Sequence, residues 1–170
     1  GIDKKPNAWS AEVNNMTVIG DLLQDEAFEK IDDKEFDLVI HLAANARVYD
    51  SVVDPDMAYD NITTTYKVME FARKKKANVM FASSREIYGN SDKIIHKESD
   101  VRLDLCESPY GASKMCGEAL VQAYQKCYDM GFVIFRFSNV YGMYDDSDRV
   151  VPLFIRKCLA GEDLVVFGED

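Results

Sequence analysis

Tyr110 and Lys114 lie four residues apart, just after Ser108-Pro109, a spacing that puts both side chains on one face of a helix. A free tyrosine has a pKa near 10 and is a poor base at neutral pH. An adjacent ammonium favours the phenolate, and lowering the pKa by about three units takes roughly 4 kcal/mol of differential stabilisation. The pair alone is also what an ordinary amphipathic surface shows. Ser83-Ser84, which close the apolar run 77–82, add to it. A serine at the carboxyl end of a parallel strand faces the ligand crevice, where its hydroxyl can bond a substrate hydroxyl or carbonyl, or else cap the turn. Together these residues read as a proton-transfer set.

The other reactive residue types read more plainly. His41 stands in an apolar run with no second ligand nearby and reads as a core histidine, while His96 falls in a polar loop and reads as surface. Residues 145–148 form an acidic cluster without the Gly and distal Glu of a calcium loop, so they read as solvated. Cys106, Cys116, Cys127 and Cys158 form no CxxC pair and have no histidine at metal-ligand spacing. Buried free thiols in a reducing, cytoplasmic compartment and no bound metal are the expectation.

The elements that must position these groups belong to a chain of 170 residues, 47% apolar and 29% charged, the balance of one ordinary globular domain. Its net charge of −10 suits neither nucleic acid nor an anionic membrane surface as main partner. No apolar run approaches the roughly 18 residues that span a bilayer, and residues 1–15 lack a signal-peptide core.

Residues 16–20, 37–43, 77–83 and 132–140 are β-rich and nearly continuously apolar, the pattern of parallel strands covered on both faces. A short helix is expected around 25–31. Asp54-Pro55 starts a long helix that runs to Lys74-Lys75-Lys76, cations that suit a helix C-terminus. Ser108-Pro109 opens a second, ending before Gly131, and residues 150–160 form a third, closed by Gly161. Residues 164–167 read as a further strand. Alternation of this kind gives an α/β, doubly wound parallel sheet, with ligands at the carboxyl ends of its strands.

Ser84, Tyr110 and Lys114 resemble the Ser–Tyr–Lys set of the extended short-chain dehydrogenase/reductases. More narrowly, the chain resembles the NAD-dependent nucleotide-sugar epimerase/dehydratase family, in segments that run through nearly all of it. Gly20-Asp21-Leu22 is similar to the segment after the family's third strand, and DLVIHLAA at 37–44 to its fourth-strand signature. Val48, Ser51, Pro55 and Asn61 fall at the spacing of the following loop and helix. SSREIYG at 83–89, SPYGASK at 108–114 and RFSNVYG at 136–142 match the catalytic-serine, Tyr–Lys and post-sixth-strand segments. RVVPLFI at 149–155 and residues 161–170 look like the start of the substrate-binding region.

The resemblance implies a Rossmann-like fold, with residues 1–148 a partial NAD-binding domain and 149–170 the start of the substrate region. It implies that Tyr110 takes the proton from a sugar hydroxyl, that Lys114 lowers the Tyr110 pKa and holds the nicotinamide ribose, and that Ser84 bonds the reacting oxygen. Asp21, Leu22, Ala43, Ala44 and Asn61 would join Tyr110 and Lys114 in holding NAD. Ser84, Glu86 and Asn139 would meet a nucleotide-sugar substrate, while Arg136, inside an apolar run, reads as structural. Family members often dimerise through two long helices, here 55–76 and 109–130.

Two departures bear on the activity. Members of the family begin with a strand and a GxxGxxG-type turn, and no such motif occurs here. The expectation is therefore an internal piece that lacks the first two strands and most of the C-terminal region, binding NAD weakly or not at all when expressed alone. NAD against NADP stays open, since the strand end that selects between them is expected to lie before Gly1. Secondly, Arg85 and Glu86 stand where dehydratases of the family place acid/base carboxyls and decarboxylases a Ser-Glu pair. A 4-epimerase needs neither, which favours epimerisation over dehydration, decarboxylation or a net reduction. A non-catalytic NAD-sensing scaffold is the alternative of another class, and the retained Ser84, Tyr110 and Lys114 argue against it.

Overall fold

The chain alternates strands and helices, in the order β1 (Ile2–Asp3), α1 (Ala11–Asn15), β2 (Val18–Ile19), α2 (Glu26–Glu29), β3 (Leu38–His41), α3 (Val48–Val53), α4 (Asp56–Lys75), β4 (Asn78–Ser84), α5 (Pro109–Tyr128), β5 (Phe132–Phe137) and α6 (Val150–Ala160). These elements come from a computed structural model, which describes every residue except Asp146, Phe167, Glu169 and Asp170. Two compact units divide the chain, Gly1–Ser138 and Asn139–Asp170.

In the first unit every strand pair is parallel. One sheet has the order β3-β4-β5 and the other pairs β1 with β2. The expected α/β, Rossmann-like alternation is therefore present. β1 is an addition to it: two residues of an otherwise polar stretch carry no periodicity that would announce a strand. They pair because Ile2 and Asp3 fall in register with Val18 and Ile19.

The long helices end where their sequences say they should. The Asp54 carboxylate accepts the Asp56 N–H at 3.2 Å in the turn that leads into α4, which begins one residue later than Pro55 suggests. Ser108 accepts the Gly111 N–H at 3.0 Å and Pro109 is the first residue of α5. At the other ends Lys76 and Asp129 take the left-handed conformation, both at φ 55°. The cationic end of α4 is partly spent on an ion pair, Lys75 to Asp32.

Both long helices pack on one face of the larger sheet. Met69 and Ala72 of α4, Val79 and Phe81 of β4, and Val121 and Tyr124 of α5 form its core. Phe81 is 1% exposed, and burial of such a side chain contributes about 2–3 kcal/mol. The approach of α5 to β4 is close because Gly117 has no side chain: a methyl there would collide with the Phe81 ring. The opposite face differs from the expectation of strands buried on both sides. Ile40, Val133, Phe135 and Phe137 are exposed on it, because α4 and α5 cover the same side.

In the second unit, α6 is closed by Gly161 at φ 70° as expected. Arg156 donates to the Ser147 carbonyl at 2.9 Å and pairs with Asp148 at 3.3 Å, so a cation of the chain itself organises the acidic loop. Asp146 of that cluster lies outside the described residues. The strand expected over 164–167 is corrected: residues 164–166 are not in a strand, and Phe167 lies outside the described residues. A strand needs a ladder partner, and this unit provides none among its described residues.

Candidate active site

β4 delivers the serines. Ser84, its last residue, caps the 3₁₀ turn Arg85–Tyr88, and its hydroxyl accepts the Glu86 N–H at 3.2 Å. That bond uses one lone pair and leaves the O–H to donate elsewhere. Ser83 Oγ is buried without a hydrogen-bond partner among the described residues.

α5 delivers the tyrosine and the lysine. Tyr110 and Lys114 are both buried, at 7% and 6% exposure. The Lys114 ammonium lies 5.7 Å from the Tyr110 ring centroid and 5.3 Å from that of Phe81. It donates to the Ala82 carbonyl at 2.9 Å, which ties α5 to β4 beside the serines. Burial pushes Lys114 down to about 8, because a low-dielectric site disfavours the charged form. Gly111 admits the serine segment from the other side: a Cβ there would stand 3.3 Å from the Glu86 carbonyl oxygen. Ser84, Tyr110 and Lys114 are thus brought to one place by β4, the 3₁₀ turn and the start of α5.

The backbone of Tyr110 is held on both sides. Its N–H donates to Ser51 Oγ at 3.1 Å and its carbonyl accepts from Ser113 Oγ at 2.7 Å. Ser113 Oγ in turn accepts from the Asn61 amide at 3.3 Å. Asn61 also takes the Asn45 N–H at 2.7 Å and donates to the Asn45 carbonyl at 3.1 Å. The loop after β3 is therefore connected to the backbone of Tyr110 by buried hydrogen bonds.

Asp21, Leu22, Ala43, Ala44 and Asn61 line one cavity of about 410 Å³ at the carboxyl ends of β2 and β3. The Leu23 N–H, helped by Lys4 at 3.1 Å, holds the Asp21 carboxyl below its usual range. Asp3 and Lys4 at the end of β1 line the same cavity. Glu86 is half-buried and pairs with Arg85 at 3.5 Å. Asn139 opens the second unit and is exposed.

Sequence reasoning missed Asp3, Asn45, Ser51 as a contact of Tyr110, Ser113 and Glu118. Ser113 stands inside SPYGASK, and Glu118 continues the four-residue spacing of Tyr110 and Lys114; those two signals were there to be used. His96, expected at the surface, is half-buried: its ring stacks on Tyr88 at 4.5 Å, which shields it despite the polar loop around it. His41 lies in the core as expected, at 4% exposure. The cysteines, expected to be buried, are not: Cys106 and Cys116 are half-buried, and Cys127 and Cys158, near the C-terminal ends of α5 and α6, are exposed.

The NAD dependent epimerase/dehydratase family matches across residues 1–170. The dTDP-glucose 4,6-dehydratase of Salmonella typhimurium is 34% identical over 152 residues, 78% of this chain and 42% of that protein. The UDP-glucose 4-epimerase of Thermotoga maritima, solved with UDP-glucose, superposes with a TM-score of 0.84 at 26% identity, over 99% of this chain and 57% of that one. That of Thermus thermophilus, solved with NAD, gives 0.78 at 28% identity over 87% and 50%. The chain spans about half the length of the curated relatives it matches. A match over its full extent, with the serine, tyrosine and lysine segments assembled at the strand ends, shows that the chain belongs to the NAD-dependent epimerase/dehydratase family.

Proposed function

We propose that this protein is a nucleotide-sugar 4-epimerase in which Tyr110 is the base, Lys114 its cationic partner and Ser84 the hydrogen bond to the reacting oxygen. The observation that carries epimerisation over dehydration is the Arg85–Glu86 pair. Loss of water from a sugar calls for a free acid/base carboxyl beside the reacting carbons. Here Glu86 is engaged by the guanidinium of Arg85, which occupies the neighbouring position in place of a carboxyl.

The cavity at the ends of β2 and β3 fits a dinucleotide by its chemistry. Asp21 offers a carboxylate acceptor, and Ala43 and Ala44 carry only methyls, so a flat group can lie against the backbone. Asp21, Leu22, Ala43, Ala44 and Asn61 would hold NAD there, and Asp3 stands where it can accept from a ribose hydroxyl. When bound, NAD supplies the hydride acceptor and donor that a 4-keto intermediate requires. Tyr110 takes the hydroxyl proton and returns it, Lys114 favours its phenolate, and Ser84 donates to the oxygen as it becomes a carbonyl. Asn139 would meet the nucleotide diphosphate, and residues 149–170 would begin the sugar-binding region. Pairing of two copies through α4 and α5 belongs to the same reading, and Tyr59 and Tyr66 expose aromatic surface on α4 for it.

Product analysis of the whole protein with UDP- and dTDP-hexoses tests this. A C4 epimer is expected, and Tyr110→Phe should lower the rate by orders of magnitude. A 4-keto-6-deoxy product would overturn epimerisation, and Tyr110→Phe with an unchanged rate would overturn the assignment of the base.

A further inference from the structure

Arg136 reads from sequence as a structural residue of an apolar strand, yet its guanidinium joins three segments. Nε and Nη2 donate to the two carboxylate oxygens of Glu118 at 2.9 and 2.8 Å. Nη1 donates to the Tyr88 hydroxyl at 2.9 Å and to the Glu98 carbonyl at 2.8 Å. Both members of the ion pair are largely buried, with side chains 18% and 7% exposed. The planar fork suits this task, since it fixes direction as well as distance, and an ammonium would not reproduce it.

The partners matter because of what they carry. Glu118 lies four residues beyond Lys114, as Lys114 does beyond Tyr110, so the three share one face of α5. Tyr88 closes the 3₁₀ turn that Ser84 caps. Arg136 itself is in register with Ser83 across the sheet. The Tyr88 ring is fixed further by His96 stacked at 4.5 Å and by the guanidinium 5.2 Å from its centroid.

Building on the epimerase reading above, we propose that Arg136 is a positioning residue, which through Glu118 and Tyr88 sets the separation of Ser84 from Tyr110 and Lys114. It touches no reacting atom. Misplacement of a hydrogen-bonding group by about 1 Å can cost on the order of 100-fold in rate, so the clamp acts on turnover and leaves cofactor and substrate affinity alone.

Tyr88→Phe is the informative variant, because it removes the link to the serine turn and keeps the buried ion pair. In the whole protein it should speed amide hydrogen exchange across residues 84–89 by about tenfold or more and leave the protection of α5 at Val121 and Tyr124 unchanged. The turnover number kcat should fall between about 10-fold and 100-fold, with the KM for the nucleotide sugar and the Kd for NAD within about twofold. Arg136→Lys should behave like Arg136→Gln in both measurements, since charge without the fork does not hold Tyr88. Unchanged exchange over 84–89 in Tyr88→Phe overturns the proposal, as does a raised KM at constant kcat or full recovery by Arg136→Lys. A wild-type protein that turns over no nucleotide sugar defeats the epimerase reading alone, and the exchange measurement then decides the clamp by itself.

Discussion

Ser51 Oγ accepts the backbone N–H of Tyr110 at 3.1 Å, across 59 positions of sequence. Tyr110 is the second residue of α5, where helix N–H groups have no intrahelical acceptor, and Ser51 supplies one from α3. Its own proton goes to the Val48 carbonyl at 2.7 Å. Removing the hydroxyl leaves a buried donor unsatisfied, which costs about 1–3 kcal/mol. Ser51→Ala is therefore expected to lose stability by that amount and to lower the rate further than the folded fraction explains. Denaturant melts and initial rates on the same preparation check it, and equal stability of the two proteins would remove the assigned bond.

Lys114 gives a pH signature. Its folded pKa is about 8, against about 10.4 when unfolded. Between those values the unfolded chain binds more protons, so stability rises with pH across the window and the cost is fully present below it. The amount is about 3 kcal/mol. Lys114→Met has no such slope. Urea unfolding at pH 7 and pH 10 should therefore show the wild type gaining on the variant by roughly 2–3 kcal/mol, and a constant difference would mean a solvated ammonium.

Most of the fold was legible because its signals are local. Ser108-Pro109, Asp54-Pro55 and Gly161 mark helix ends by capping chemistry that depends on one or two residues, and the runs at 37–43 and 77–83 are nearly continuously apolar. β1 was hidden because two residues make no pattern, and its pairing with Val18 and Ile19 is long-range. The exposed face of β5 was misread for a related reason: Phe135 and Phe137 are apolar whether or not anything covers them. At the candidate site, Ser84, Tyr110 and Lys114 were readable from their spacing together with the resemblance of their segments to the family. The contacts of Ser51, Asn45 and Arg136 were not, since their partners lie on other elements and only the fold brings them together.

His41 provides a second pH window, at the acid side. The Thr65 hydroxyl donates to the Asn61 carbonyl at 2.8 Å, so its contact with His41 Nε2 at 3.1 Å requires the imidazole to donate there. The ring is thus a neutral Nε2–H tautomer. Burial, with Lys114 nearby, pushes its pKa down to about 4. Between about 4 and 6.5 the unfolded state binds more protons, so stability falls as pH drops through that range. About 2 kcal/mol is lost by pH 5. His41→Gln keeps a donor for Thr65 and removes the titration. Its stability relative to wild type should therefore rise between pH 7 and pH 5, and a parallel decline in both proteins would contradict the assignment.

Gly117→Ala sets two effects against each other. Alanine in a helix interior is favoured over glycine by about 1 kcal/mol, through backbone entropy and propensity. Against it, the new methyl meets the Phe81 ring. Phe81 cannot step aside, since it is 1% exposed and packed among Val79, Met69 and Val121. Overpacking of this kind typically costs about 1–3 kcal/mol, and with backbone and ring both fixed here the upper part of that range applies, so the variant is destabilised by up to about 2 kcal/mol. The ring also lies 5.3 Å from the Lys114 ammonium, so the displacement reaches the candidate active site, and on the proposed function activity should fall with stability. In a double-mutant cycle, Phe81→Leu should offset part of the Gly117→Ala loss, because the shorter side chain makes room for the methyl. Strict additivity of the two substitutions would show that α5 and β4 do not meet at this point.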